Sequence, residues 1–120
     1  MVTRGVSFGP TAGTADTKTT IGSAYTFALT GRIKQICVSG SNQTADKSTS
    51  AILTLDFKRL SGPFTWSVNF PGNVVGDGGG PVGNSPIDVD IPYENGEVVT
   101  VSLTCSDTED DCIVSLTCVE

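Results

Sequence analysis

The residues with the most evident chemistry lie together in one short acidic segment. Four carboxylates fall within five positions, at Asp107, Glu109, Asp110 and Asp111. Carboxylate oxygens are ligands that Ca²⁺ accepts, so this segment is a candidate calcium site. It lacks the Asp-x-Asp-x-Asp-Gly spacing of a calcium-binding loop, however, and a solvated acidic turn that keeps a hairpin soluble explains it as well.

Four cysteines are the second chemical feature: Cys37, Cys105, Cys112 and Cys118. Their spacing is not a zinc pattern, and the chain contains no histidine that would complete one. Cys105 and Cys112 bracket the acidic segment, so a disulfide between two strands is geometrically reasonable. Cys37 and Cys118 would then form the remaining pair. The alternative is four buried thiols that behave as small apolar side chains.

The residue types present give catalysis little support. Without histidine there is no catalytic triad of the usual kind, and paired carboxylates need a cleft in which burial raises one pKa. Asp88 and Asp90 share a strand face that we expect to point to solvent, so they do not meet this requirement. We therefore expect a non-enzymatic protein without a cofactor. Asn42 begins a sequon for N-glycosylation, which has meaning only in a secreted chain.

The elements that position these residues are strands, because apolar and polar residues alternate in the C-terminal third. Every second residue is apolar from Val99 to Cys105 and again from Cys112 to Cys118. This period of two puts one set of side chains on a buried face. We predict that the two strands pair as a hairpin, with Leu103 opposite Val114 and Cys105 opposite Cys112. Before them, Ile91 is predicted to pair with Val101, either through the three-residue loop Asn95-Gly96-Glu97 or through a kink at Pro92.

Further strands are predicted by the same alternation at Tyr25–Leu29, Ile52–Lys58 and Phe64–Phe70. The last of these is the most aromatic, and we predict that Trp66 lies at the centre of the core. The alternative is that Trp66 is exposed and stacks on a sugar. Ile33 and Ile36 are out of phase by one residue. That spacing indicates a bulge near Lys34-Gln35, or a strand buried on both faces near its end.

The count of seven or eight strands, with Gly, Pro and Asn turns and without helical periodicity, predicts an all-β fold. We expect a single-domain antiparallel β-sandwich of jelly-roll or Greek-key type over residues 24–120. Residues 1–23 are rich in Thr, Gly, Ala and Ser, and they are predicted to form an N-terminal arm that is disordered or lies on a neighbouring subunit. Within it, a short edge strand is the alternative for Val2–Phe8, while Pro10 to Gly22 is too weakly patterned for a strand. A Gly- and Pro-rich loop is predicted over residues 71–86, and this loop and the N-terminal arm are the segments expected to contact other subunits.

Charge is distributed unevenly along the chain, whose net charge is −6. Seven basic and three acidic residues give +4 through residue 60, whereas ten acidic and no basic residues give −10 beyond it. Such asymmetry fits complementary faces that meet between subunits, an acidic face that repels phosphate, or simple intermixing of the two halves in one sandwich. An acidic chain without a basic stripe is not expected to bind nucleic acid. No apolar run reaches the roughly 18 residues of a membrane span.

In composition and pattern the chain resembles small all-β structural proteins of virions, such as capsid, decoration, turret or spike proteins. The features that carry the resemblance are the alternating strands, the polar N-terminal segment, the many Ser, Thr and Gly residues and the opposed charges. The resemblance implies a structural subunit that assembles with copies of itself and with other coat proteins. It also implies a virion or extracellular location, and a start at Met1 without a secretory signal favours the virion.

Two alternatives remain open at the level of sequence. One is an extracellular, pilus-like filament subunit whose copies, alone or with other filament proteins, are joined by strand addition. The other is a module that binds a carbohydrate or a host receptor through the loops at 39–50 and 71–86. A carbohydrate-binding module would need exposed aromatic side chains in those loops, and the sequence has none there.

Overall fold

The computed structural model describes residues 2–41, 50–70, 82–83, 86–106 and 108–120. Every regular element in these ranges is a β-strand. The described residues include no helix long and apolar enough to span a membrane. Seven strands have seven or more residues, and three have two residues each. In chain order they are β1 Thr3–Gly13, β2 Thr19–Thr20, β3 Tyr25–Thr26, β4 Gly31–Ser41, β5 Ala51–Arg59, β6 Gly62–Phe70, β7 Val82–Gly83, β8 Ile87–Tyr93, β9 Val98–Cys105 and β10 Glu109–Val119.

The strands form two antiparallel sheets. Sheet I contains β1, β10, β4 and β8 in that order, with the short β7 also beside β4. In sheet II, β9 has β2 and β3 on one side and β5 followed by β6 on the other. The side chains between the two sheets form one core. This is the two-layer arrangement of a β-sandwich.

The order of the strands is that of a jelly roll. The first strand pairs with the last and the other pairs nest inside it: β1 with β10, β2 and β3 with β9, β4 with β8, and β5 with β6. When β2 and β3 are counted as one interrupted strand, this is an eight-stranded double-sheet jelly roll. The prediction of an all-β antiparallel sandwich is confirmed, and of the two connection types proposed the jelly roll is the one present.

Alternation correctly predicted which side chains face the core. The inward residues of β9 and β10 are all at most 3% exposed: Val99, Val101, Leu103, Cys105, Cys112, Val114, Leu116 and Cys118.

The predicted partners of these strands were wrong. β9 lies in sheet II and β10 in sheet I, so Leu103 lies opposite Leu53 of β5 and not opposite Val114. In the same way Ile91 pairs with Ile33 of β4 and not with Val101. Alternation defines the face that is buried, and two strands that face each other across a sandwich satisfy it as fully as two strands paired in one sheet.

The predicted bulge in β4 is confirmed. Gln35 lies opposite Thr117 of β10, but Ile33 lies opposite the very next residue, Cys118, so Lys34 is an extra residue. The bulge allows both Ile33 and Ile36 to point into the core, where both are fully buried.

The N-terminal segment is part of the sandwich and not an arm, and its first half forms the edge strand that was the alternative. β1 pairs with β10 from Thr3 opposite Val119 to Gly13 opposite Glu109. Phe8 and Ile21 are buried in the core, and the N–H of Ile21 donates to the carbonyl of Val101. The segment is polar because β1 is the outer strand of sheet I and few of its side chains reach the interior.

Trp66 does not lie at the centre of the core as predicted. It lies opposite Leu55, but β6 is the outermost strand of sheet II, and Trp66 is only half-buried. The central aromatic contact is the stacked pair Phe27 and Tyr93, whose ring centroids are 3.8 Å apart. Alternation in a sequence does not distinguish an outer strand from a central one, whereas burial does.

Candidate contact surfaces

The charges of the two halves of the chain are paired within one subunit. In four ion pairs a base from the first half meets an acid from the second: Arg4–Glu120, Arg32–Asp90, Lys34–Asp90 and Arg59–Glu97. A fifth pair joins Lys18 and Asp56. Five of the seven basic residues thus have an acidic partner in their own chain, which favours intermixing over complementary charged faces between subunits.

Asp88 and Asp90 lie on the exposed face of sheet I, as the sequence predicted. The Asp90 carboxylate accepts from Arg32 and from Lys34, the residue that the bulge adds to β4. These two cations lower the pKa of Asp90 to about 2, mainly through the Arg32 hydrogen bond. Asp88 accepts from Gln35 at 3.1 Å. Both carboxylates therefore hold β8 against β4 and do not form an acid–base pair.

Glu120 joins three strands at one end of the sandwich. Its side chain is only 3% exposed; one oxygen accepts from Arg4 Nε at 2.8 Å and the other from the Tyr93 hydroxyl at 2.9 Å. The Arg4 hydrogen bond lowers the pKa of the Glu120 carboxyl, while burial raises the pKa of the Tyr93 hydroxyl. Gly31 is packed against this cluster, where a Cβ would lie 2.6 Å from the Tyr93 oxygen.

A groove lies at the same end, between the Leu60-Ser61 turn and the β8–β9 connection. It consists of two adjoining cavities of about 290 and 430 Å³ that share Arg59, Leu60, Glu94 and Glu97. Arg59 Nε lies 3.1 Å from Glu97 Oε2, and the guanidinium sits 4.4 Å from the centroid of the Phe64 ring. Arg59 and Glu97 are thus paired with each other, Lys58 and Glu94 also line the cavities, and Leu60 is fully exposed beside them.

Four of the five large apolar side chains that are exposed in the described ranges are concentrated at this end, and the fifth, Ile52, lies near the start of β5. These four side chains are Val2, Leu29, Leu60 and Phe64. The strand ends beside them are neighbours, because Arg32 of β4 lies opposite both Val119 of β10 and Pro92 of β8. Arg59 at the end of β5 also donates to the carbonyl of Pro92. Exposed apolar side chains on a small domain often mark contacts with another molecule.

The four sheet edges differ in how well they are protected. β1 is interrupted by register shifts around Pro10, and β2 and β3 have two residues each. β8 exposes Asp88, Asp90 and Pro92. Short strands, irregularities, charges and prolines are the features that prevent an edge from pairing with another chain.

The edge of β6 carries almost none of these protections. β6 has nine residues, no charged side chain and an unbroken register with β5 from Gly62 to Phe70. Within the described ranges β5 is its only strand partner. Phe64 is exposed, and Trp66 and Val68 are only partly buried. The absence of charge from residue 60 to residue 76 was the signal in the sequence that could have identified this edge.

The structure places the two predicted cysteine pairs differently: one pair is on opposite faces of a sheet, and both members of the other point into the core. Cys37 lies between the inward-facing residues Ile36 and Val38, so its side chain is on the outer face of sheet I, whereas Cys118 is fully buried on the inner face. A Cys37–Cys118 bond is incompatible with this arrangement. Cys105 and Cys112 both point into the core, from sheet II and sheet I. The structure contains no disulfide bond among the four cysteines, and a Cys105–Cys112 bond stays a prediction.

The candidate calcium site falls mostly outside the described residues. Asp107 and the side chains of Glu109 and Asp110 are not described, and Asp111 is exposed. In the part of the chain that is described, no group of three or more metal-ligating side chains occurs. The calcium site stays a prediction, as does glycosylation of Asn42, which also lies outside these ranges.

The predicted binding and contact loops are largely untested as well. Most of the 39–50 loop and of the 71–86 loop lies outside the described residues. The end of the first loop is close to the start of the second, since Ala51, which follows the first loop, lies opposite Phe70, which precedes the second. The N-terminal segment, which was also expected to contact other subunits, is instead paired with β10 of its own sandwich.

Comparison with known proteins indicates the fold. No protein-family model matches the chain, and no curated protein matches its sequence. Among solved structures, the chain is similar to a chain in the structure of infectious bursal disease virus, Gx strain, with a TM-score of 0.53 and 13% sequence identity. The match covers 96% of this chain and 32% of the other, so this chain spans about a third of that chain's length. The predicted resemblance to virion proteins is thus confirmed at the level of fold.

Proposed function

We propose that the chain is a non-enzymatic structural subunit of a self-assembling particle, and that this particle is a virion. The observation that carries the proposal is the jelly-roll order of the strands, which over 96% of this chain is similar in fold to part of a chain in a virus structure. Jelly rolls are a recurrent architecture of viral capsid domains.

The surface of the subunit supports the same proposal. The exposed apolar side chains at one end of the sandwich and the unprotected edge of β6 offer area for contacts with neighbouring subunits. Asp90 is engaged by Arg32 and Asp88 by the amide of Gln35, so both exposed carboxylates are held by side chains of β4. The partners proposed are copies of the same chain and other coat proteins.

The test is the native mass of the purified chain, measured by light scattering on a size column and followed by electron microscopy. We expect a defined oligomer or a closed particle. Because five of the seven basic residues are paired within the subunit, we expect the oligomer to tolerate high salt. Open filaments would favour the pilus-like alternative, and a monomer at every concentration would refute self-assembly.

A further inference from the structure

We propose that two copies of this chain pair antiparallel through their β6 edges, with Ser67 of one copy opposite Ser67 of the other. The pairing would extend sheet II of one subunit directly into sheet II of the second. The inference rests on the proposed function as a self-assembling subunit, and it names the contact through which the first step of assembly occurs.

The first argument is that the β6 edge lacks charge and irregularity. The three other edges are interrupted, charged or very short, whereas β6 pairs with β5 through an unbroken register over nine residues. A long, regular and apolar edge exposed to solvent would cause non-specific aggregation in a protein that did not use it. Such an edge fits a protein in which a specific strand covers it in the assembled state.

The second argument comes from the phase of the hydrogen bonds. Pro63 lies opposite Lys58 and has no N–H to donate. Residue pairs in an antiparallel ladder alternate between those that exchange two hydrogen bonds and those that exchange none, and a proline fits the second kind. Thr65, Ser67 and Asn69 share the phase of Pro63, so their N–H and C=O groups point away from β5 to the open edge.

The third argument is that this edge is complementary to itself. With Ser67 opposite Ser67 of the second copy, Thr65 faces Asn69 and Asn69 faces Thr65, so three residue pairs each exchange two backbone hydrogen bonds. Pro63 falls outside these three pairs, so its missing N–H costs no bond. A second copy fits this edge because the two identical strands carry no charge that would repel.

The side chains of the inner face also match in this register. Trp66 lies opposite Val68 of the second copy, and Val68 lies opposite its Trp66. Both residues are only partly buried in a single subunit. Pairs of an aromatic and a β-branched residue are favourable between neighbouring strands. The two-fold symmetry makes the contact isologous, so it closes as a dimer and does not propagate as a filament.

The experiment compares variants at Ser67 by sedimentation over a range of concentrations. Ser67→Pro removes one edge N–H from each copy without removing a bond to β5, and we expect dimerisation to weaken about tenfold or more. Ser67→Ala keeps the N–H and is the matched control, expected to dimerise like the natural chain. Circular dichroism and thermal unfolding verify that each variant is folded.

A charge exchange tests the register and avoids the proline. Ser67 is exposed, so Ser67→Lys and Ser67→Glu are expected to fold. Each variant alone places like charges opposite one another and should dimerise weakly, while an equimolar mixture should recover the dimer. Trp66 is the only tryptophan, so its fluorescence reports on the same edge. We expect a blue shift on dimerisation.

The outcomes separate this contact from the proposed function. If the natural chain assembles and all the Ser67 variants keep its mass, the β6 contact is wrong, whereas the structural function stands. If Ser67→Pro weakens the dimer and the charged mixture does not recover it, the two-fold register at Ser67 is wrong. A natural chain that stays monomeric at every concentration overturns both proposals.

Discussion

Gly31 provides a sharp test of the packing around Tyr93. Gly31 begins β4 and lies opposite Tyr93 in β8. A Cβ at this position would lie 2.6 Å from the Tyr93 oxygen, 2.6 Å from the carbonyl oxygen of Val119 and 2.9 Å from Tyr93 Cζ. The carbonyl is backbone inside the sheet, and the hydroxyl is held by Glu120, so neither atom can move away at low cost.

Gly31→Ala should therefore destabilise the fold. Overpacking costs about 1–3 kcal/mol, and contact with two restrained oxygens puts this site in the upper part of that range. Replacing glycine also reduces the entropy of the unfolded chain, which returns about 0.4–1 kcal/mol. The net expectation is a loss of about 2 kcal/mol, measured as a lower urea midpoint with an unchanged slope.

Gly5→Ala is the matched control, because Gly5 is also a strand glycine and a Cβ there would meet no atom within 4 Å. It should be neutral or slightly stabilising. In a Tyr93→Phe background the hydroxyl contact is absent while the Val119 contact remains, so Gly31→Ala should cost less there but still more than Gly5→Ala. Equal effects of Gly31→Ala and Gly5→Ala would refute the packing described here.

Three other measurements test the ion pairs, the thiols and the core. The pKa of Asp90 is lowered to about 2, so its contribution to stability is present above about pH 4 and is lost as the pH falls towards 2; urea unfolding of Asp90→Asn should converge on that of the natural chain in acid. Burial raises the pKa of the Cys118 thiol, so a thiol reagent on the folded protein should label half-buried Cys37 first and Cys118 only after unfolding, as mass spectrometry would show. Phe27→Ala should cost about 3–5 kcal/mol of unfolding free energy, whereas Leu29→Ala, two residues away and exposed, should change it by less than about 0.5 kcal/mol.

The sequence predicted which side chains are buried better than it predicted which strands are neighbours. The alternation from Val99 to Cys105 identified the inward side chains correctly, and the phase change between Ile33 and Ile36 identified the bulge. Both are local properties of one strand. Pairing depends on residues distant in the chain, and strands that are adjacent in sequence here lie in opposite sheets.

The two largest errors, concerning Trp66 and residues 1–23, have the same cause. An outer strand buries part of one face at most, so the end of β1 from Pro10 onward looks too polar for a strand and β6 looks like the centre of the core. Position within a sheet changes what composition a strand requires. The contact surfaces were predicted least well for the same reason, because an unprotected edge is defined by the absence of a neighbour and not by a motif.

The position of β10 has a consequence for how the chain reaches its native state during synthesis. β10 lies between β1 and β4, so one of the two interior strands of sheet I is made after every other strand described. While β10 is still missing, β1 has no partner and β4 lacks one side, however long ago both were made. Pairing of β1 with β10 closes a loop of about a hundred residues, and contacts this distant in sequence slow folding. Until β10 pairs with them, the nascent subunit exposes two incomplete strands, and chaperones or other copies of the chain would compete with β10 for them.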